Sequence, residues 1–388
     1  MERVEEARAY GVERLLSRVD REIAFILDKA LSEMEISVEE GTRLFEADGT
    51  DLYALMIAAD ELRRRTVGDV VTFVINRNIN FTNVCYVGCK FCAFAAPEND
   101  ERAYTLPMEE IVKRAEEAWN AGATEVCLQG GLNPRMRPTH YEDIVRSIKE
   151  KLPNIHVHAF SPFEIKYGAS LKGVPIEEHL ISLKEAGLDT IPGTAAEILD
   201  QDVRQQLTKN KLKAEEWVHI VKTAHRLGIR STSTMMYGHV DGPRHWANHI
   251  GLIRDIQKET GGFTEFVPLG FVHYNTRLYK EFGSRPGSTG IEDIKAVAVA
   301  RIMLHKWIPN IQVSWVKNGP KACQIILNAG ANDFGGTLMD ETISRSAGAP
   351  FGENMEPAEF HRLICDLGRI PAVRDTYYRI LQMPYVPG

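Results

Sequence analysis

Three cysteines, Cys85, Cys89 and Cys92, fall within eight positions of a 388-residue chain, while Cys127, Cys323 and Cys365 stand apart. A disulfide framework would want spread pairs in a secreted context, so the C-x3-C-x2-C cluster reads as a metal site or a redox site. Structural zinc takes four ligands, and no nearby C-x2-C partner or His pair supplies the fourth; a zinc site completed by a distant His is the alternative. Three thiolates on a [4Fe–4S] cluster leave one iron open, which is useful only where something must bind to it. Three buried, unliganded thiols are the bland reading. Other segments with chemical potential are Gln129-Gly-Gly-Leu-Asn-Pro134, Phe160-Ser-Pro-Phe-Glu164, Pro192-Gly-Thr-Ala-Ala-Glu197 and Tyr237-Gly-His-Val240.

Each of these segments follows a β-rich run. Strands are expected at Val70–Asn80, Glu125–Gln129, His156–Phe160, Asp189–Pro192, Ser231–Tyr237, Thr264–Leu269, Gln312–Trp315 and Asp333–Thr337. Helical stretches separate them at Met108–Ala121, Tyr141–Lys151, Ile176–Ala186, Ala214–Leu227, Arg244–Thr260, Ile291–Trp307 and Pro320–Ala329. Gly122, Gly187, Gly228 and Gly330 stand where a helix would close in the left-handed conformation. Eight strands alternating with helices predict an α/β fold, a (β/α)8 TIM-type barrel, with its chemistry in the loops after the strands.

Before the barrel, Leu15, Leu16, Val19, Ile23, Ile26, Leu27 and Ala30 form an apolar helical stripe, Ser37 with Glu40 makes a capping-box signal, and a third helix is expected from Leu52 to Leu62. The expected division is a helical extension over 1–65, the barrel over 66–340, and a C-terminal helical segment over 341–388 that includes Pro357–Leu367 and packs on the barrel. A net charge of −7 gives no basic field for nucleic acid. No apolar run reaches the roughly 18 residues of a membrane span, and the acidic start lacks a signal core. A cytoplasmic protein with no membrane or nucleic-acid partner is expected.

The cysteine spacing, with Phe91 just before the last thiol, resembles the signature of radical S-adenosylmethionine (SAM) enzymes. Residues from about 70 to 350 resemble the subgroup that makes deazaflavin (FO) and futalosine intermediates, and within it the tyrosine-transferring subunit of FO synthase. The likeness is carried by Cys92-Ala-Phe94, Leu128–Pro134, His158-Ala-Phe-Ser-Pro162, Ile191–Leu199, Thr232–His239, Gly261–Pro268, Gln312–Val316 and Ala329–Thr337.

The resemblance implies a [4Fe–4S] cluster on Cys85, Cys89 and Cys92 whose open iron chelates SAM. It also implies Phe91 beside the adenine, Gln129-Gly130-Gly131 at the methionine end, Glu197 on the ribose hydroxyls or amino group, Glu164 as a second carboxylate, and Met236 and Tyr237 against the adenine. Each has a plainer reading: a tight turn for the glycines, a first-turn helix acid for Glu197, core filling for the methionine. For substrate contacts the later strand ends offer Glu265, His273, Trp315 as a wall and Asn332 as a polar contact. The implied reaction moves the 4-hydroxybenzyl group of L-tyrosine to 5-amino-6-(D-ribitylamino)uracil, by hydrogen abstraction from tyrosine, Cα–Cβ cleavage and addition at C5 of the uracil. The implied partners are an electron donor such as ferredoxin or flavodoxin and the ring-closing subunit of FO synthase. The rivals are a futalosine-forming enzyme of menaquinone synthesis and, outside catalysis, an iron–sulfur scaffold or a zinc-stabilised binding barrel.

Overall fold

The computed structural model describes residues 17–387. Leu15 and Leu16 of the expected apolar stripe lie outside the described residues. Val19 of that stripe precedes the helix, which spans Arg21–Leu31 and carries the rest: Asp20 accepts hydrogen bonds from the N–H groups of Glu22 and Ile23, and the buried face is Ile23, Ile26, Leu27 and Ala30. Ser37 and Glu40 make the expected reciprocal cap on Val38–Phe45. The third helix is longer than expected, Gly49–Val67, because the run Arg63-Arg64-Arg65 stays helical through ion pairs back to Asp60 and Glu61. The second and third helices pack against the barrel helices Pro243–Thr260 and Gly290–Leu304.

The expected first strand is divided into β1 (Val70–Val74) and β2 (Asn76–Ile79). A parallel sheet then runs β2, β3 (Glu125–Leu128), β4 (His156–Ala159), β5 (Thr190–Ile191), β6 (Arg230–Tyr237) and β7 (Phe263–Gly270). The seventh barrel position, expected at Gln312–Trp315, consists of the parallel bridges Phe266↔Ile311 and Gln312↔Asp333, and Trp315 instead opens a short helix. Through these bridges β7 reaches β8 (Asp333–Gly336), which pairs with β1, so the ring of parallel strands closes. The cap glycines Gly122, Gly187, Gly228 and Gly330 all carry positive φ.

Because side chains alternate along a strand, β3, β6 and β7 send Glu125, Cys127, Thr232, Thr234, Met236, Glu265, Val267 and Leu269 to the barrel interior. Their neighbours Val126, Leu128, Met235, Tyr237 and Phe266 are buried instead and lie outside the interior wall, on the side of the helices. A helix absent from the sequence expectation, Pro162–Lys172, follows β4 directly, with Ser161 and Glu164 as its capping box.

The C-terminal segment is not purely helical. After the helix Pro357–Asp366, β9 (Ile370–Arg374) adds in parallel to β1, and β10 (Ile380–Gln382) pairs antiparallel with β9. Pro371 lies within β9, where the outer neighbour pairs only with Val373 and Arg374, so its missing N–H is tolerated. The end of β9 supplies Arg374 to the barrel interior, and the chain beyond it turns under the N-terminal ends of the strands and adds Thr376 and Tyr378. Among the described residues no helix is long and apolar enough to cross a membrane.

Candidate active site

The barrel encloses a cavity of about 440 Å³ that runs from the cysteine loop after β2 to the C-terminal plug beneath the strands. From Glu125, the first residue of β3, to Gly130 beyond its end is five residues, or roughly 16 Å of depth at about 3.3 Å per residue.

Cys85, Cys89 and Cys92 are free, half-buried thiols on the wall at the mouth. Burial pushes Cys89 up to about 12; Lys211 opposes that shift, and Cys92, Glu197 and Cys85 reinforce it. Burial also raises Cys92, against hydrogen bonds to its sulfur from the backbone N–H groups of Ala95 and Phe94. Such thiols ionise readily only when a metal takes up the charge. A soft donor set of three thiols on one wall, with N–H groups aimed at a sulfur, fits an iron–sulfur cluster. Among the described residues no group of three or more His, Cys, Asp or Glu side chains is arranged to hold a single metal ion; a four-iron cluster takes each thiolate on a different iron.

The loop after β3 touches the cysteine loop. Gly131 donates to the carbonyl of Thr82 at 2.8 Å, and a Cβ on Gly131 would lie 2.2 Å from the carbonyl oxygen of Val84 and 3.0 Å from Cys85 Cβ. A Cβ on Gly130 would meet the Phe81 ring at 2.6 Å. The N–H of Gly130 is held by Glu164 Oε1 at 2.9 Å, while Glu164 Oε2 accepts from the Ser161 N–H and hydroxyl at 2.8 and 2.6 Å. Burial lifts Glu164 to about 7 against these three bonds. Glu164 therefore ties the glycine turn to the helix after β4. Gln129 lines the wall, its amide 3.6 Å from Cys127 Sγ.

Glu197 is buried with φ +41°, in the region that disfavours side chains. Its loop is over-determined: Met236 N–H donates to the Glu197 carbonyl, Trp217 Nε1 to Thr194, and the buried Arg204 guanidinium to the carbonyls of Ala195, Ala196 and Leu212. Strain held in place this way is typical of binding loops. Lys211 Nζ binds Glu197 Oε1 at 2.6 Å and sits 4.8 Å above the Phe91 ring. Burial opposes the Lys211 charge, but Glu197 and Cys89 outweigh it and raise its pKa. Glu197 Oε2 is buried without a hydrogen-bond partner, 3.6 Å from Arg204. An orphaned carboxylate oxygen beside the thiols suits a ligand bearing hydroxyl or ammonium donors, which SAM carries. Neither Lys211 nor Arg204 could be picked out from sequence spacing.

The floor is a polar network. Arg374 grips Asp333 with two bonds, Nε to Oδ2 at 2.6 Å and Nη2 to Oδ1 at 3.0 Å, and lies 3.9 Å over the Tyr378 ring. Tyr378 hydroxyl donates to Glu265, and Thr376 hydroxyl to Glu125 Oε2 at 2.6 Å. Burial lifts Glu265 to about 7, with Arg374 opposing. His158 on the same wall is lowered to about 4 by burial, so it stands neutral.

Of the residues expected at the site, Cys85, Cys89, Phe91, Cys92, Gln129, Gly130, Gly131, Glu164, Glu197, Met236 and Glu265 all line this one cavity. Four do not. Tyr237, adjacent to Met236, faces the helices, its hydroxyl on Asp293 Oδ1 at 2.6 Å. His273 sits in a loop beyond the wall, its ring 4.1 Å from Tyr274 and 4.5 Å from Tyr279. Trp315 is buried, donating to the carbonyl of Gly336 at 2.9 Å. Asn332 staples the barrel closure, accepting from Arg301 at 2.8 Å and from the Ile311 N–H at 2.9 Å.

Residues 79–253 match the radical SAM superfamily and residues 260–386 the CofH/MqnC C-terminal region. The chain is 52% identical over 353 residues to the 5-amino-6-(D-ribitylamino)uracil–L-tyrosine 4-hydroxyphenyl transferase of Methanocaldococcus jannaschii, covering 90% of this chain and 98% of that protein. It is 56% identical over 342 residues to the FO synthase of Mycobacterium leprae, covering 88% of this chain; it spans only 40% of that longer relative. Among solved structures, methylornithine synthase superposes with a TM-score of 0.70 at 19% identity, covering 89% of this chain and 97% of that one, a likeness of fold. The chain therefore belongs to the radical SAM superfamily, in the family of the 5-amino-6-(D-ribitylamino)uracil–L-tyrosine 4-hydroxyphenyl transferases.

Proposed function

We propose that this protein cleaves the Cα–Cβ bond of L-tyrosine and joins the 4-hydroxybenzyl group to 5-amino-6-(D-ribitylamino)uracil, a step of FO formation on the route to coenzyme F-420. The observation that carries the reading is the 52% identity to the Methanocaldococcus jannaschii transferase across 98% of its length. Cys85, Cys89 and Cys92 would hold the [4Fe–4S] cluster. Bound together, cluster and SAM supply a 5′-deoxyadenosyl radical able to take a hydrogen atom from tyrosine. Glu197, through its unpartnered Oε2, and Phe91 bind the SAM nucleoside; Lys211 neutralises the thiolates and fixes Glu197. Gly130 and Gly131 admit the methionine end, with Glu164 holding their turn. Met236 closes the wall by the adenine. The polar floor of Glu125, His158, Glu265 and Thr376 suits the alternating donors and acceptors of a ureide ring, and the closed barrel keeps water from reactive intermediates.

The electron would come from a ferredoxin or flavodoxin, and the product would pass to the ring-closing FO synthase subunit. A cytoplasmic setting suits six free cysteines. The test is anaerobic assay of the reconstituted, reduced protein with SAM, L-tyrosine and the diaminouracil, followed by mass spectrometry. Tyrosine-dependent 5′-deoxyadenosine with a hydroxybenzyl adduct of the uracil is expected. SAM cleavage without adduct would reject the substrate pair, and turnover of dehypoxanthine futalosine instead would move the protein to menaquinone synthesis.

A further inference from the structure

Three cationic side chains line the cavity: Lys211, Arg374 and Lys317. The first two are matched, Lys211 by Glu197 and Arg374 by Asp333. Lys317 differs. Its Nζ donates to the hydroxyl of Ser344 at 2.6 Å, and among the described residues it forms no ion pair with a carboxylate. The nearest acidic influence is Glu341, whose oxygens are engaged by the Ser344 N–H at 3.0 and 3.1 Å. Burial lowers the Lys317 pKa, with Glu341 opposing. An ammonium set in a protein wall with Glu341 acting only at a distance and no carboxylate in direct contact is held at a cost that an arriving anion would relieve.

The position narrows the identity of that anion. Lys317 stands on the short helix Trp315–Asn318 after the seventh barrel position, and Ser344 on Ile343–Ser346 after β8. Ser314, which opens the first of these helices, also lines the cavity. All three lie at the C-terminal mouth, the end that carries the cysteine loop. The residues assigned to SAM come from the loops and strand ends of β2 to β6, on another arc of the ring. An ammonium bonded to one serine hydroxyl, with a second serine on the same arc of the cavity wall, offers the donors a carboxylate takes. We propose that Lys317, with Ser314 and Ser344, seats the α-carboxylate of the amino-acid substrate. The proposal rests on the functional reading above and adds to it the point at which tyrosine is anchored.

The test uses the cluster-loaded, SAM-bound, unreduced enzyme, so that binding is read without turnover. Affinities for L-tyrosine and for tyramine, which lacks the carboxylate, are measured by anaerobic calorimetry on wild type, Lys317→Met and Lys317→Arg. Wild type should prefer L-tyrosine; Lys317→Met should weaken L-tyrosine by about tenfold or more while leaving tyramine unchanged, and Lys317→Arg should retain most of the preference. Unchanged affinity for the diaminouracil and SAM reports that the variant's cavity is intact. If wild type binds L-tyrosine and Lys317→Met binds it equally well, or if both ligands weaken together, the carboxylate seat is wrong and the functional reading stands. If wild type binds no L-tyrosine, the functional reading falls and the seat with it.

Discussion

Replacing Arg374 by Met would leave Asp333 with no cation in a place where both side chains are almost wholly buried: they are 3% and 0% exposed. Asp333 would keep the Thr72 hydroxyl at 2.5 Å and the Gly335 N–H at 2.8 Å, too little to solvate a full charge. Removing one partner of such a pair costs about 3–5 kcal/mol, with no discount for solvent screening at this depth. Unfolding entropy of about 2.1 cal/mol/K per residue amounts to about 0.8 kcal/mol/K for 388 residues, so the melting temperature should fall by about 4–6 °C. The reverse variant, Asp333→Asn, should cost less, about 1–3 kcal/mol, because Arg374 retains Glu265 at 3.7 Å and the carbonyl of Asp375 at 3.2 Å. The double variant should be more stable than the sum of the single losses predicts, by about 1–3 kcal/mol. Urea unfolding followed by circular dichroism on all four proteins closes the cycle. Single losses within 1 kcal/mol of wild type, or strict additivity, would refute the view that the C-terminal plug is fastened through this pair.

Three further outcomes are expected near the mouth. Gly131→Ala places a methyl 2.2 Å from the Val84 carbonyl, and the cysteine loop must move; iron and sulfide content after reconstitution should drop sharply while the far-ultraviolet circular dichroism holds. Glu197→Gln removes the charge that faces Lys211 and the orphaned acceptor, and should weaken SAM binding by about tenfold or more in equilibrium dialysis. Glu164 keeps its proton to about 7 when folded and loses it near 4.5 when unfolded. The native state therefore binds the extra proton between these values, and stability from this group falls as pH rises from 4.5 to 7, then levels. Glu164→Gln should flatten that slope in urea titrations at pH 5, 6 and 7.5; an unchanged slope would mean that the carboxyl is ionised throughout.

The strand and helix order was legible because each short apolar run ended in glycine or a polar loop; spacing marked the cysteine loop as a metal or redox site, and the family resemblance narrowed it to a cluster. What spacing could not give was the direction of a side chain in a strand buried on both faces. Met236 and Tyr237 are equally plausible as letters, yet period-two alternation sends one into the cavity and the other under the helix Pro243–Thr260. Trp315 and Asn332 misled for a related reason: the seventh strand shrinks to two bridges, and its aromatic and amide groups are spent on closing the ring. Lys211 and Arg204 lie in a region with no periodic signal, and only the fold brings them to Glu197. Beyond Pro357–Leu367 the C-terminal segment was expected to be helical, so β9 and with it the origin of the cavity floor went unseen.

That strand also sets a schedule for the newborn chain. Val70 pairs with Ile370, and Thr72 with Asp333, so β1 has no partner on either side until some 260 to 300 further residues exist. At roughly 5–20 residues per second of synthesis, that interval is about 13–60 s. Throughout it the ribosome carries a chain with a bare, apolar strand edge, Val-Val-Thr-Phe-Val, of the kind that invites pairing between molecules. Yield of this protein on overexpression should therefore respond more to translation rate and chaperone supply than to the strength of any contact in the finished barrel.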